Sequence, residues 1–172
     1  MAMSDWSIRA AEPTDVPDIL AMIQELAEHE REPEAVKTTT SDLTRVLFEG
    51  GDGPHSMPAA YCDVATATGS PNAPLLGMAL WYLTFSTWEG AHGIYLEDLY
   101  VRPAARGFGL GHELLASLAR RCVDNGYTRL EWSALNWNTP AIDFYLGHGA
   151  QPQTDWTKFR LCDDSLHALG TE

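Results

Sequence analysis

Between Ile94 and Asn125 the chain reads as strand, glycine turn and helix, and this order constrains the fold more than any other stretch. The alternating segment Ile94-Tyr95-Leu96-Glu97-Asp98-Leu99-Tyr100-Val101 leads to Arg106-Gly107-Phe108-Gly109-Leu110-Gly111, and the amphipathic run His112 to Val123 follows. The first turn of a helix has unsatisfied N–H donors and a positive dipole end, so such a turn favours an anion placed above it. Glycines at alternate positions let the backbone take positive φ and approach a phosphate with no Cβ in the way. The turn is therefore a candidate pyrophosphate cradle, and the plainer alternative is an ordinary glycine-rich strand-to-helix connection.

Spacing sets two familiar cradles aside. A dinucleotide fingerprint needs G-x-G-x-x-G, yet His112 stands three residues after Gly109, and no acidic residue ends a second strand at the expected distance. A Walker A loop needs a Lys after its glycines, and none is present. What is left is Arg-x-x-Gly-x-Gly, as Arg106, Gly109 and Gly111.

Periodicity supplies the remaining elements. Trp6 to Ala11 reads as a first strand; Pro13-Thr14-Asp15 offers a cap for a helix carrying Val16, Ile19, Leu20, Ile23 and Leu26 to about Ala27 or beyond. Glu28 to Glu34 closes that helix as an acidic loop. Thr38 to Ser41 caps a second helix with Leu43, Val46 and Leu47, ended by Gly50-Gly51. Ala59–Ala67 and Leu75–Thr87 form a hairpin around Gly69-Ser70-Pro71-Asn72. Beyond the glycine turn, a helix from about Gly111 to Asp124 stops at Asn125-Gly126, and Thr128–Leu135 is a strand with Leu130, Trp132 and Ala134 on one face. A short helix begins at Thr139-Pro140 and ends at Gly147 or Gly149, and Trp156–Leu161 is a last strand. The order β-α-α-β-β-β-α-β-α-β predicts one α/β domain over residues 1–172, with a mixed sheet holding a parallel pair in its middle.

A formal charge of −13 opposes contact with nucleic acid and anionic membranes and concentrates small cations near acidic clefts. No apolar run is long enough to span a bilayer, and Met1 to Asp5 lacks the basic and apolar regions of a signal peptide, so a soluble, cytoplasmic protein is expected. Cys62, Cys122 and Cys162 have no metal or redox spacing and are expected to be reduced and buried; the six histidines are scattered, and no metal site is expected. Glu97 and Asp98, adjacent on a strand, should point to opposite faces.

Three segments together carry a family resemblance: Arg106 to Gly111, the strand Leu96-Glu97-Asp98-Leu99-Tyr100-Val101, and Asn136-Trp137-Asn138-Thr139-Pro140-Ala141-Ile142-Asp143-Phe144-Tyr145. The chain resembles the GNAT N-acetyltransferases along nearly its whole length, and within them the spermidine/spermine (diamine) and thialysine N-acetyltransferase branch. The resemblance implies a GNAT acyl-CoA N-acyltransferase fold, a central mixed sheet with splayed parallel strands flanked by helices. It implies transfer of an acetyl group from acetyl-CoA to a primary amine of a small cationic substrate, by direct attack in a ternary complex, in a homodimer.

The resemblance also distributes roles. The pantetheine arm would pair with backbone groups of Leu99, Tyr100 and Val101, and an amide N–H near Leu99 would hold the developing oxyanion. The pyrophosphate would lie over Arg106, Gly107, Phe108, Gly109, Leu110, Gly111 and His112, with Asn138, Thr139, Pro140 and Ala141 near the thiol end. Tyr145 would protonate the departing thiolate; spacing alone favours reading Ala141, Ile142, Phe144 and Tyr145 as the buried stripe of a short helix, and it is the resemblance that reverses this. Glu97 would contact the amine and accept its proton, the plain alternative being a structural ion pair. His29, Glu30, Glu131, Trp132 and Ser133 match positions that touch substrate. His29 and Asn136 depart from the family pattern, which often has an aromatic and an acidic residue there, and both changes bear on the length and charge of the substrate. Two other readings stand beside this one: a GNAT enzyme with a different acceptor, such as an amino acid, antibiotic or protein amine, and a non-catalytic acyl-CoA-binding domain.

Overall fold

A computed structural model describes residues 6–50, 58–69 and 73–171. Its contacts divide into two compact units, Met1–Ser133 and Ala134–Glu172.

The first unit contains a five-stranded sheet in the order β1-β2-β3-β4-β5, made of β1 (Trp6–Ala10), β2 (Tyr61–Ala67), β3 (Gly77–Ser86), β4 (Ala91–Val101) and β5 (Leu130–Glu131). The first four pair antiparallel, and β5 joins β4 in parallel at the sheet edge. The parallel pair was expected in the middle of the sheet. It lies at the edge because no strand forms over Trp156–Leu161, where the described backbone is irregular and exposed; a strand persists only with a partner to receive its hydrogen bonds. The predicted strand Thr128–Leu135 contracts to two residues, so Trp132 and Ala134 are not strand residues.

Helix α1 (Val16–His29) and α2 (Thr40–Thr44) pack on one face of the sheet. Val16, Ile19, Met22 and Leu43 join Cys62, Val64, Met78, Leu80 and Tyr100 in one core. Asp15 precedes α1 but does not cap it through its side chain; the carboxylate instead takes Arg9 Nη1 and Nη2 at 2.6 and 2.9 Å. Thr39 caps α2, its hydroxyl accepting from Asp42 N. A π-helical turn, Arg45–Glu49, continues α2 to Gly50, and Gly51 lies outside the described residues. Of the predicted hairpin turn, Gly69 is described with φ +77°, while Ser70, Pro71 and Asn72 lie outside the described residues.

On the other face lies α3 (Leu110–Asn125), with Leu110, Leu114, Leu115, Leu118 and Cys122 buried. Its seat depends on Gly77, where an added Cβ would stand 2.7 Å from the Tyr100 carbonyl oxygen and 3.3 Å from Leu114 Cδ1. Backbone cannot yield there as a flexible side chain would. Gly77→Ala is therefore expected to destabilise the protein by about 1–3 kcal/mol through overpacking, read as a lower midpoint in urea. An unchanged midpoint would show that α3 is free to shift.

The second unit holds α4 (Thr139–Gly147) and α5 (Asp163–Gly170), the latter not foreseen from the sequence. Cys62 and Cys122 are buried as expected, whereas Cys162 is exposed.

Candidate active site

In the glycine turn, Gly107 and Gly109 both adopt positive φ, +81° and +89°, and a Cβ on either would meet nothing within 4 Å. The outward side of the turn is thus open, and its conformation is one that favours glycine. Gly109 is the N-cap of α3 and contributes no side-chain cap, so no cap side chain of its own competes with an external acceptor at the N–H groups of Leu110 and Gly111. A pyrophosphate fits these features. Arg106 is exposed, its guanidinium 5.5 Å from the Tyr100 ring centre, and its Nε donates to the Val101 carbonyl at 2.7 Å. That carbonyl is therefore already engaged. Tyr100 is buried in the core, so only its backbone is available to a ligand. Phe108 and His112 are exposed, and Leu110 is a core residue of α3.

Upstream, β4 does not keep a strict alternation. Leu80 pairs with Asp98 and Trp81 with Leu96, so Glu97 is an extra residue in a β-bulge. The bulge overturns the expectation that Glu97 and Asp98 face apart: the two carboxylates repel each other on the side of the sheet that carries α1. Burial, reinforced by the charges of Glu97 and then Glu30, pushes the Asp98 carboxyl up to about 6. Burial and the Glu97 charge likewise push the Tyr82 phenol up. Glu30 is the C-cap of α1, and His29 is the last residue of that helix rather than part of a loop. Glu30, Glu97 and Asp98 thus form one acidic group. Asp98 is the residue missed from the sequence, although a signal was there. Leu96 and Leu99 pair with Trp81 and Ala79 on a single face, and their spacing of three, where a regular strand requires two, marks an inserted residue.

The acidic group is held by a half-buried network at the end of β4. Arg102 Nη2 lies 2.7 Å from Asp18 Oδ1 and 3.0 Å from Glu25 Oε1, and its Nη1 donates to the Leu75 carbonyl at 2.9 Å. Asp18 and Glu25 belong to α1, so a single guanidinium sets the helix bearing Glu30 against the strand bearing Glu97 and Asp98.

Where β4 meets β5, only Ile94↔Leu130 and Tyr95↔Glu131 pair, and β4 continues to Val101 without β5 beside it. Glu131 forms an ion pair with Arg129 at 2.8 Å, and Ser133 shares a 2.8 Å hydrogen bond with the Tyr95 hydroxyl. Trp132 is half-buried.

In the second unit, Asn138 caps α4, its side-chain oxygen accepting from Ala141 N at 3.3 Å. Those two predicted cofactor contacts are therefore partners of each other. Thr139 and Pro140 are exposed at the start of the helix. Tyr145 is half-buried, its ring 5.2 Å from that of Phe144 in an edge-to-face contact.

Among the described residues no group of three or more His, Cys, Asp or Glu is placed to hold a metal ion, and no helix is long and apolar enough to cross a membrane. Burial pushes the thiols of Cys62 and Cys122 up, away from the nucleophilic thiolate form.

The acetyltransferase (GNAT) family profile matches residues 21–150. Thialysine N-epsilon-acetyltransferase of Bos taurus is 37% identical over 169 residues, covering 94% of this chain and 95% of its own. Spermidine/spermine N(1)-acetyltransferase-like protein 1 of Homo sapiens is 33% identical over 99% of this chain and 24% of its own. Among solved structures, an integron cassette protein from the mobile metagenome of V. cholerae superposes with a TM-score of 0.78 at 24% identity, covering 98% and 99% of the two chains.

Proposed function

The chain belongs to the GNAT acetyltransferase family, and from that premise we propose that it transfers the acetyl group of acetyl-CoA to a primary amine of a small cationic substrate, a diamine, polyamine or thialysine. The acidic group Glu30–Glu97–Asp98 carries the reading, because three carboxylates held together at the edge of one sheet face recognise an ammonium ion better than any neutral or anionic acceptor. The names of the relatives, which act on thialysine or belong with spermidine/spermine enzymes, support the same substrate class. The family profile runs across both compact units, which favours one functional domain, and we place that domain in a cytoplasmic homodimer.

Acetyl-CoA supplies an activated thioester carbonyl. In this reading the N–H groups of Gly107 to His112 and the remaining nitrogens of the Arg106 guanidinium hold the pyrophosphate, and the β4 backbone from Leu99 to Val101, apart from the Val101 carbonyl held by Arg106, receives the amides of the pantetheine arm. Asn138, Thr139, Pro140 and Ala141 form the surroundings of the thiol. Glu30 and Asp98 bind the ammonium, with His29, Glu131 and Trp132 bounding the acceptor. An alkylammonium with a pKa near 10.4 must lose a proton before it attacks, and Glu97 takes that proton directly or through water. A backbone N–H near Leu99 balances the charge on the carbonyl oxygen. Tyr145 gives a proton to the departing sulfur, and the second proton that the attacking nitrogen sheds as the amide forms restores the phenol, directly or through water. Burial of Cys62 and Cys122 disfavours an acyl-cysteine at either of them.

The test is thiol release from acetyl-CoA over a panel of monoamines, diamines, polyamines, thialysine and lysine, with wild type and Glu97→Gln. Diamines should outperform monoamines of equal length, and kcat/KM should fall as pH drops through about 6, where Asp98 loses its charge. Glu97→Gln removes a repelling neighbour, so this acid limb should move to lower pH while kcat at neutral pH declines and partly recovers as pH rises. Stability runs the other way. A carboxyl whose pKa is raised by folding favours the native state when protonated, and that contribution fades as pH rises through about 6. Equal rates for every amine, with an unshifted acid limb in Glu97→Gln, would leave the carboxylates structural and turn the assignment to a neutral or anionic acceptor.

A further inference from the structure

The Tyr95–Ser133 hydrogen bond sits where the backbone ladder between β4 and β5 gives out. The last paired residues are Tyr95 and Glu131, and continued parallel register would bring Ser133 opposite Glu97. No such pairing forms, because Glu97 is the bulged residue and β5 ends at Glu131. In place of main-chain bonds, the Tyr95 phenol reaches forward to Ser133 Oγ at 2.8 Å. The phenol is not loose: its ring stacks on Tyr82 at 5.2 Å between centres, and Tyr82 packs against the buried core. The chain leaving β5 is thus fastened, through two hydroxyls and a ring stack, to the body of the sheet.

We infer that Tyr95 and Ser133 act as a strap that fixes how far Trp132 and Ser133 depart from β4 within the first unit, and so the width of the opening beside β4 that receives the pantetheine arm. Both are positioning residues, and Ser133 acts through Tyr95 rather than on the amine. The inference rests on the proposed use of acetyl-CoA. Its physical content is preorganisation. With the strap closed, the gap has its binding width before ligand arrives; with the strap cut, part of the binding free energy is spent ordering the exit of β5.

The experiment measures CoA affinity by titration calorimetry, together with thermal midpoints, for wild type, Tyr95→Phe, Ser133→Ala, the double variant and Ser133→Thr. Tyr95→Phe keeps the ring and its stack on Tyr82 and removes only the hydroxyl. Each single variant should weaken CoA by about three- to tenfold, the worth of one hydrogen bond. The double variant should be no weaker than the singles, because the two hydroxyls make one interaction. Ser133→Thr, which keeps a hydroxyl, should restore most of the affinity. Multiplying effects in the double variant would mean that each hydroxyl touches ligand separately, and unchanged affinity with lowered midpoints would mean a purely structural bond; either result overturns the strap. Wild type that fails to bind CoA overturns the acetyl-CoA reading and the strap with it, whereas wild-type binding equalled by all variants overturns the strap alone.

Discussion

Gly109→Asp should lose acetyl-CoA affinity by more than about a hundredfold while the protein stays folded. Three effects add in the same direction. The residue sits at φ +89°, where a non-glycine side chain is strained by about 1–3 kcal/mol. The new side chain meets no protein atom within 4 Å, so it projects into the open space above the turn, which the pyrophosphate would fill. Its negative charge then lies against another negative charge at the positive end of α3. Gly109→Ala carries the strain without the charge and should lose far less. Calorimetric titration with CoA, alongside thermal melts, reads both variants; unaltered affinity in folded Gly109→Asp would remove the cradle and the reading built on it.

For Tyr145→Phe the expected loss is in turnover, with acetyl-CoA binding unchanged. The substitution leaves the edge-to-face contact with Phe144 and the Asn138 cap of α4 in place, so the helix keeps its local structure. A general acid contributes about two to four powers of ten, because its proton is needed only as sulfur departs. Steady-state kcat measured beside equilibrium CoA affinity separates chemistry from binding. A loss below tenfold would return Tyr145 to the apolar stripe of α4 and give the thiolate its proton from water.

Much of the architecture was written in local patterns. The helical spacing of Val16, Ile19 and Ile23 gave α1, the glycines gave the turn before α3, and Thr139-Pro140 gave the start of α4. These signals are legible because each depends on neighbours within one turn of helix. The acidic group was harder. Reading Glu97 and Asp98 as facing apart applied the two-residue period of a regular strand, and one bulged residue reversed the outcome. The last strand failed for a different reason. Trp156–Leu161 alternates well enough for a strand, yet alternation does not provide an edge to pair with, and pairing is a property of distant residues. The engagement of Val101 by Arg106, of Asn138 by Ala141 and of Ser133 by Tyr95 was equally invisible, since side-chain bonds across a strand end or a helix cap follow from three-dimensional placement.

The Arg102 network divides the molecule into parts that change at different rates under selection for a new acceptor. One guanidinium gives α1 and β4 a common origin through Asp18, Glu25 and the Leu75 carbonyl, and distances to Glu30 and Asp98 are measured from it. Residues past that origin, such as the exposed His29, are replaceable without moving the carboxylates. In the proposed reading, acceptor preference would be adjustable one side chain at a time on a fixed baseline, whereas any loss at Arg102 would displace the whole scale.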